Sequence, residues 1–313
     1  MASPVHLTHM RYTSFTFIGV LACCALAQDA APLEVRLLSS AKIIGQQVIV
    51  GRAHCAGATW LLTERLELMR VAADSHATST SLLRGLREGE KPWGLACLSR
   101  TQLWTLVTHD ALAQITSDGQ IIGRVRLDRP GLGIYSAGER LLLQQPPAGI
   151  GRPLLSAGLP ANVRAFTEWP APISQYARSP DEQLRANLVS CGVGVSGYVP
   201  CWLANQSRLV IGDGTPAHTS ERELGFLRAA GFDETAPIWD VALAGASRVW
   251  VLASARPGPE GRRVGVRLTR STRRAEDEGN IDLSPPARLI LWATDERCVL
   301  LSATGQLQEV LAP

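Results

Sequence analysis

The 313-residue chain has almost no lysine: Lys42 and Lys91 stand alone against a large excess of arginine. Aromatic residues make up 5% of it, and the formal net charge is only +3. So small a charge gives no electrostatic case for a nucleic-acid partner. No apolar run reaches the roughly 20 residues that a membrane-spanning helix needs. There is no CxxC pair and no Cys/His spacing of a zinc site. HExxH, a P-loop, a GxSxG elbow and an EF-hand loop are missing too, which removes the commonest local signatures of catalysis. Amphipathic helical patterns are scarce, and the best two, Pro180–Val189 and Glu221–Ala230, are read as helical insertions. What remains is an ordinary globular composition, 46% hydrophobic and 19% charged. Its 28 glycines and 19 prolines are spread along the chain, as in a fold of many turns.

The first 27 residues read as an export leader. Arg11 is the only charged residue before Asp29, and an apolar run follows from Phe15 to Leu26. It closes on Ala25-Leu26-Ala27, a small-x-small pattern suited to cleavage. A second processing route stays open. Gly19-Val20-Leu21-Ala22-Cys23 resembles a bacterial lipobox, in which Cys23 would carry a lipid anchor. Either route places residues 28–313 in the periplasm, the cell envelope or the extracellular space.

An oxidising compartment gives the cysteines meaning. Five lie beyond the leader: Cys55, Cys97, Cys191, Cys201 and Cys298. Cys191 and Cys201 flank a glycine-rich turn and are expected to close a local disulfide, and Cys55 with Cys97 is the second candidate pair. Five is odd, so one thiol stays free. Cys298, inside Cys298-Val299-Leu300-Leu301, is read as the buried one.

The organising feature is an internal repeat. WGLACLSRTQLWTL, beginning at Trp93, aligns without a gap on WDVALAGASRVWVL, beginning at Trp239. Weaker copies carry Trp60, Leu141-Leu142-Leu143, Trp202 or Leu209-Val210-Ile211, and Val299-Leu300-Leu301. The marks fall near 60, 104, 142, 205, 250 and 300, a spacing typical of propellers and other arrays. Each unit reads as short strands. Leu103–Val107 leads to Ala111–Ile115, then through the turn Ser117-Asp118-Gly119 to Ile121–Leu127, and Asp-Gly between such runs signals a hairpin.

Four-stranded units recurring six times predict an all-β fold, a six-bladed β-propeller spanning residues 28–313. The last unit has room for only three strands. Leu33–Leu38 is therefore expected to pair with Leu307–Leu311 and close the ring, which leaves no open sheet edge and predicts a monomer. On the same count, Trp93 and Trp239, 146 residues apart, should occupy equivalent positions three units apart. Trp104 and Trp250 should pack between neighbouring units.

This unit, with its Asp-Gly turn and Trp-x-Leu second strand, resembles the exported bacterial six-bladed propellers of the NHL and TolB-like type. The resemblance implies a central channel that binds proteins, glycans or small ligands, and in some members a lactone- or ester-hydrolysing site. Propeller lactonases hold a calcium ion there with Glu, Asp and Asn from several inner strands. In this chain the matched slots carry Gly94, Gly133 and Ile290, with Asp240 the only acid. One carboxylate makes a poor calcium site, since that ion takes six or more oxygens. The expected channel residues are Trp93, Trp239 and Asp240, with no cofactor, no nucleic acid and no catalytic group assigned. The leading reading is a binding or scaffold module for a protein or small ligand. The alternative is a metal-dependent hydrolase.

Three further motifs receive structural readings. Gly192-Val193-Gly194-Val195-Ser196-Gly197 fits GxGxxG but is followed by Tyr198-Val199-Pro200, which opens no helix, so a flexible turn or a glycine-rich strand is expected. His109-Asp110 falls in a rim turn. The arginines from Arg262 to Arg274, followed by Glu276-Asp277-Glu278, read as a solvated hairpin.

Overall fold

The computed structural model describes residues 33–313 apart from 39–41, 46, 56, 75, 100–101, 146–153, 159–166, 170–188, 204–207, 214, 216–217, 224–237, 246–247, 255–265 and 273–276. The leader and Cys23 lie outside the described residues. The described part forms strands and turns and no α-helix. No helix among the described residues is long and apolar enough to cross a membrane.

Strand β1 (Glu34–Leu37) stands apart from the strands that follow it. The first sheet is β2 (Ile49–Cys55), β3 (Ala58–Thr63), β4 (Glu67–Ala72) and β5 (Thr78–Leu82). The second is β6 (Pro92–Ser99), β7 (Gln102–Val107), β8 (Ala111–Ile115) and β9 (Ile121–Arg126). The third comprises β10 (Gly133–Ala137), β11 (Arg140–Gln145), β12 (Leu154–Gly158) and β13 (Thr167–Trp169). The fourth holds β14 (Val189–Cys191), β15 (Val199–Leu203), β16 (Arg208–Gly212) and β17 (Ser220–Glu223). In the fifth lie β18 (Ile238–Ala244), β19 (Arg248–Ser254), β20 (Val266–Thr272) and β21 (Asp277–Leu283). The sixth contains β22 (Ala287–Ala293), β23 (Arg297–Ser302) and β24 (Leu307–Leu311), and its fourth strand is β1.

Each sheet is an antiparallel meander, and the inner strands β2, β6 and β10, and likewise β14, β18 and β22, lie beside one another. The chain is a β-propeller. Closure runs as the strand count predicts: β1 pairs with β24, Glu34 opposite Leu311 and Leu37 opposite Gln308.

Sheets sandwiched between neighbours need apolar groups on both faces, so their middle strands read as continuous apolar runs rather than alternating ones. Every residue of β3 is buried, whereas the outer β5, Thr78–Leu82, is largely exposed. Indoles on the second strands fill the gaps between sheets. Trp60, Trp104 and Trp250 each sit directly across from a small residue, Ala53, Ala96 and Ala242. Trp104 packs with Ile134, Leu141 and Leu143 of the third sheet, and Trp250 with Ile290, Cys298 and Leu300 of the sixth. Trp202, in the corresponding strand of the fourth sheet, packs with Val241 and Leu243 of the fifth. The identical pairings Ala96–Trp104 and Ala242–Trp250 show that the two best repeats share one register.

Both disulfides form, Cys55–Cys97 between the first two inner strands and Cys191–Cys201 across a strand pair. Cys298 is free and buried, and burial among apolar groups raises its thiol pKa, with the Asp240 charge adding to the effect.

The two expected helices are corrected where the structure describes them. Val189 begins β14, and Glu221–Glu223 belongs to β17, whose Glu221 stands opposite Val210. The fourth sheet needs an outer strand, and that pairing overrides the helical spacing of the sequence. The remaining residues of both segments, 180–188 and 224–230, lie outside the described residues. The arginine-rich segment does contribute a hairpin, β20 with β21. His109 lies in the turn between β7 and β8.

The GxGxxG segment is a turn that leaves its own sheet. Val195 and Tyr198 exchange backbone hydrogen bonds around Ser196 and Gly197, both at positive φ, the geometry of a type I′ hairpin. Val193 bonds in parallel to β18, through Val241 O and the Leu243 N–H. A Cβ on Gly192 would fall 1.7 Å from Val241 O, so only glycine allows this approach.

Candidate functional site

The inner strands β2, β6, β10, β14, β18 and β22 surround the central channel. Two cavities occupy it. The front one, of about 260 Å³, opens where these strands begin, and the rear one, of about 500 Å³, where they end. Arg52, Tyr135 and Cys191 line both and mark the waist between them.

Arg52 reaches across that waist. It leaves β2 and pairs through Nη1 and Nη2 with the carboxylate of Asp240 on β18, the Nη2–Oδ1 distance being 2.9 Å. Nη1 also donates to Ile290 O at 2.7 Å, and Nη2 to Cys191 O at 3.5 Å. Asp240 is 2% exposed and accepts two backbone bonds besides, from Val241 N at 2.9 Å and Ile290 N at 2.6 Å. Four sheets, the first, fourth, fifth and sixth, thus meet at one guanidinium–carboxylate pair. A carboxylate so engaged has no lone pairs turned toward a bound cation. The residues at this slot do not fit the calcium site that the resemblance implies for propeller lactonases.

Both expected channel tryptophans stand on the rim of the front cavity. Trp93 and Trp239 are the second residues of β6 and β18, in the second and fifth sheets. They are 48% and 49% exposed, unlike the buried indoles of the second strands. The indole of Trp93 donates to Leu132 O at 3.1 Å. His109 leans on it, with ring centroids 5.7 Å apart and planes at 53°. His109 is itself held by its Nδ1, which donates to Gly131 O at 2.7 Å, so the turn that carries it buttresses the rim. Val48 and Leu132 are also exposed just ahead of β2 and β10. Gly94, next to Trp93, adopts φ +73°, a conformation that favours glycine, where the register of β6 against β7 shifts.

The rear cavity is walled by the glycine-rich hairpin, the Cys55–Cys97 disulfide, Ser136, Glu139 and His54. Thr59 Oγ1 donates to Leu291 O at 2.6 Å and so can only accept from His54 Nδ1, 3.0 Å away. The imidazole therefore carries its proton on Nδ1. Burial, reinforced by the Arg52 charge, lowers its pKa to about 4. Burial also raises the Tyr135 hydroxyl to about 12. Both groups are neutral at ordinary pH.

The sequence reading singles out Trp93, Trp239 and Asp240, which line the front cavity, and does not single out Arg52, Tyr135 or His54. A signal for Arg52 was present. The inner strands are otherwise short of charge, so an arginine in IVGRAHC and an aspartate in IWDVALA invite pairing across a ring. Among other oxygen-bearing side chains, Glu168 lies on β13 at the outer edge of its sheet, and Asn187 lies outside the described residues. No group of three or more metal-ligating side chains occurs among the described residues.

No family model and no curated protein matches the sequence. Solved structures match the fold. Virginiamycin B lyase from Staphylococcus aureus has a TM-score of 0.55 at 10% identity, covering 90% of this chain and 100% of its own. YCF48 from Cyanidioschyzon merolae matches at 0.48 and 8% identity, over 88% and 98% of the two chains. BamB from Moraxella catarrhalis matches at 0.43 and 12%, over 85% and 86%. At 10% identity, virginiamycin B lyase shows a likeness of fold alone, that of a β-propeller.

Proposed function

We propose that the protein is an exported, non-catalytic binding module that holds a protein or small ligand at the front mouth of its channel. One observation carries this reading: two half-exposed indoles at equivalent positions of the second and fifth sheets, on the rim of a single cavity. Large aromatic groups left in water around a concavity mark a binding surface. Export rests on the leader at residues 1–27, with Cys23 as the anchoring alternative. The two disulfides support it, since such bonds persist in oxidising compartments. With Asp240 committed to Arg52, Val241 and Ile290, nothing favours the metal-dependent hydrolase.

The test compares the mature chain with the double variant W93A/W239A in pull-downs from envelope extract and in a small-molecule thermal-shift panel. A ligand held by the native chain and lost by the variant, with the variant's own melting temperature unchanged, supports the reading. A ligand held equally by both overturns it.

A further inference from the structure

We infer that the outer edge of the first sheet, strand β5, docks an extended segment of a partner protein as an added strand, at a site separate from the channel. Ring closure completes every sheet, yet an outer strand still ends each of them. Charged residues on an edge strand oppose the addition of another strand. Five of the six outer strands carry them: EVRL in β1, IIGRVR in β9, TEW in β13, SERE in β17 and DEGNIDL in β21. The sixth, β5, reads TSTSL, with no charge, no proline and no glycine. Four of its five residues are exposed, Leu82 by 54%.

The pairing with β4 fixes which backbone groups of β5 are free. Ala72 N donates to Ala77 O, and Leu83 N to Leu66 O. Bonded and non-bonded pairs alternate along an antiparallel ladder, so Ser79 and Ser81 also bond to β4. Thr78, Thr80 and Leu82 therefore turn their N–H and C=O groups outward. Among the described residues no hydrogen bond takes up those of Thr78 or Thr80. Past Leu82 the second sheet caps the edge, since Arg84 N donates to Gly119 O and Ile121 N to Arg84 O. What is left fits one short strand, held by main-chain hydrogen bonds and selected by its side chains.

Charge selects the occupant. On β4, Arg70 stands opposite Ser79 and Glu67 opposite Leu82. Neither side chain has an ion-pair or hydrogen-bond partner among the described residues. Directly opposed residues share a face of the sheet, and successive residues alternate between faces. Ser79 is small enough for the Arg70 guanidinium to extend past it to a strand added beyond. A segment antiparallel to β5 meets both charges with a carboxylate opposite Ser79 and, three residues earlier, a lysine opposite Leu82. The lysine stem covers the leucine while its ammonium reaches Glu67. A second copy of β5, paired about Thr80, would place Ser81 and Thr78 there and satisfy neither charge.

The probe is the capped octapeptide TVKTVETV, titrated by calorimetry into the mature chain beside the uncharged control TVQTVQTV. It should bind at sub-millimolar concentration and more tightly than the control. N-methylation of the valine between its lysine and glutamate, which faces Thr80, should weaken binding about tenfold. N-methylation of the glutamate, whose N–H points away from β5, should change little. T80P removes an outward N–H and no ladder bond, so it should weaken binding as strongly with the melting temperature nearly unchanged. The N-methyl peptides test the same bond on the unaltered chain. R70Q should weaken binding about threefold, and W93A/W239A should leave it as it is. No binding at millimolar concentration, or binding indifferent to both the valine N-methyl group and T80P, overturns the inference. Binding lost in W93A/W239A and kept in T80P moves the peptide to the front mouth, which overturns this inference and leaves the front-mouth reading standing. A native dimer in analytical ultracentrifugation that T80P dissociates makes a second copy the occupant and overturns it too.

Discussion

Arg52 and Asp240, 188 residues apart in sequence, meet in the middle of the ring, where Arg52 lines the cavities on both sides. Their pairing stands at the waist between the front and rear cavities. It also ties the first sheet to the fifth without passing through the sheets between them.

Breaking that pair should be expensive. Removing one partner of a buried ion pair leaves an uncompensated charge and costs about 3–5 kcal/mol. D240N and R52M should each lower the stability measured by urea unfolding by that amount. The double variant R52M/D240N should lose clearly less than the sum of the two. Strict additivity would show that the side chains do not interact in solution.

The indoles divide into two classes by burial, and substitution should separate them. W250A removes a side chain with no exposed surface and should cost about 3–5 kcal/mol. W93A, at 48% exposure, should cost under about 1 kcal/mol. Phenylalanine resolves a finer difference. Trp250 donates to Thr294 O at 2.9 Å, whereas the buried Trp104 indole N–H has no partner among the described residues. W250F should therefore be more destabilising than W104F by about 1 kcal/mol. Thermal or urea unfolding of the four variants checks the order, and equal costs for W250A and W93A would contradict it.

Ring closure through β1 has its own signature. Deleting residues 33–38 exposes the edge of β24, which invites association with other chains. The deletion should lower the melting temperature and produce aggregates in size-exclusion chromatography. Deleting residues 28–31, ahead of the strand, should change neither. An unchanged monomer after the longer deletion would mean that β1 contributes nothing to closure.

His54 makes stability depend on pH. Its pKa falls from 6.5 in the unfolded chain to about 4 in the folded one, burial being the larger cause and the Arg52 charge the smaller. Between those values the unfolded chain binds the proton and the folded chain does not. Stability from this group is complete above pH 6.5 and is lost as the pH falls toward 4, by roughly 2–3 kcal/mol. H54Q should flatten that part of the profile. Urea midpoints for both proteins at pH 4.5 and 7 measure it, and parallel profiles would assign the acid sensitivity to other groups.

Chain order, strand count and the pairing of the termini follow from local chemistry and could be read directly. Middle strands must be apolar on both faces because each sheet is sandwiched, and Asp118-Gly119 turns one strand into the next whatever lies around it. The tryptophan spacing set the repeat length, and a remainder of three strands required β1 as the fourth. The candidate helices failed where this local reading was weakest. Glu221–Glu223 has helical spacing in isolation, yet as an outer strand opposite Val210 it pairs backbone groups of β16 that would otherwise lie at an open edge. The site was decided in three dimensions. Trp93 and Trp104 are the same residue type in one repeat, but only the ring determines that one faces the channel mouth and the other the next sheet. Nothing local joins Arg52 to Asp240 or turns His54 toward Thr59. Those contacts exist because closure brings strands from opposite ends of the chain within hydrogen-bonding distance, and electrostatic energy depends on that distance and on burial rather than on separation in sequence.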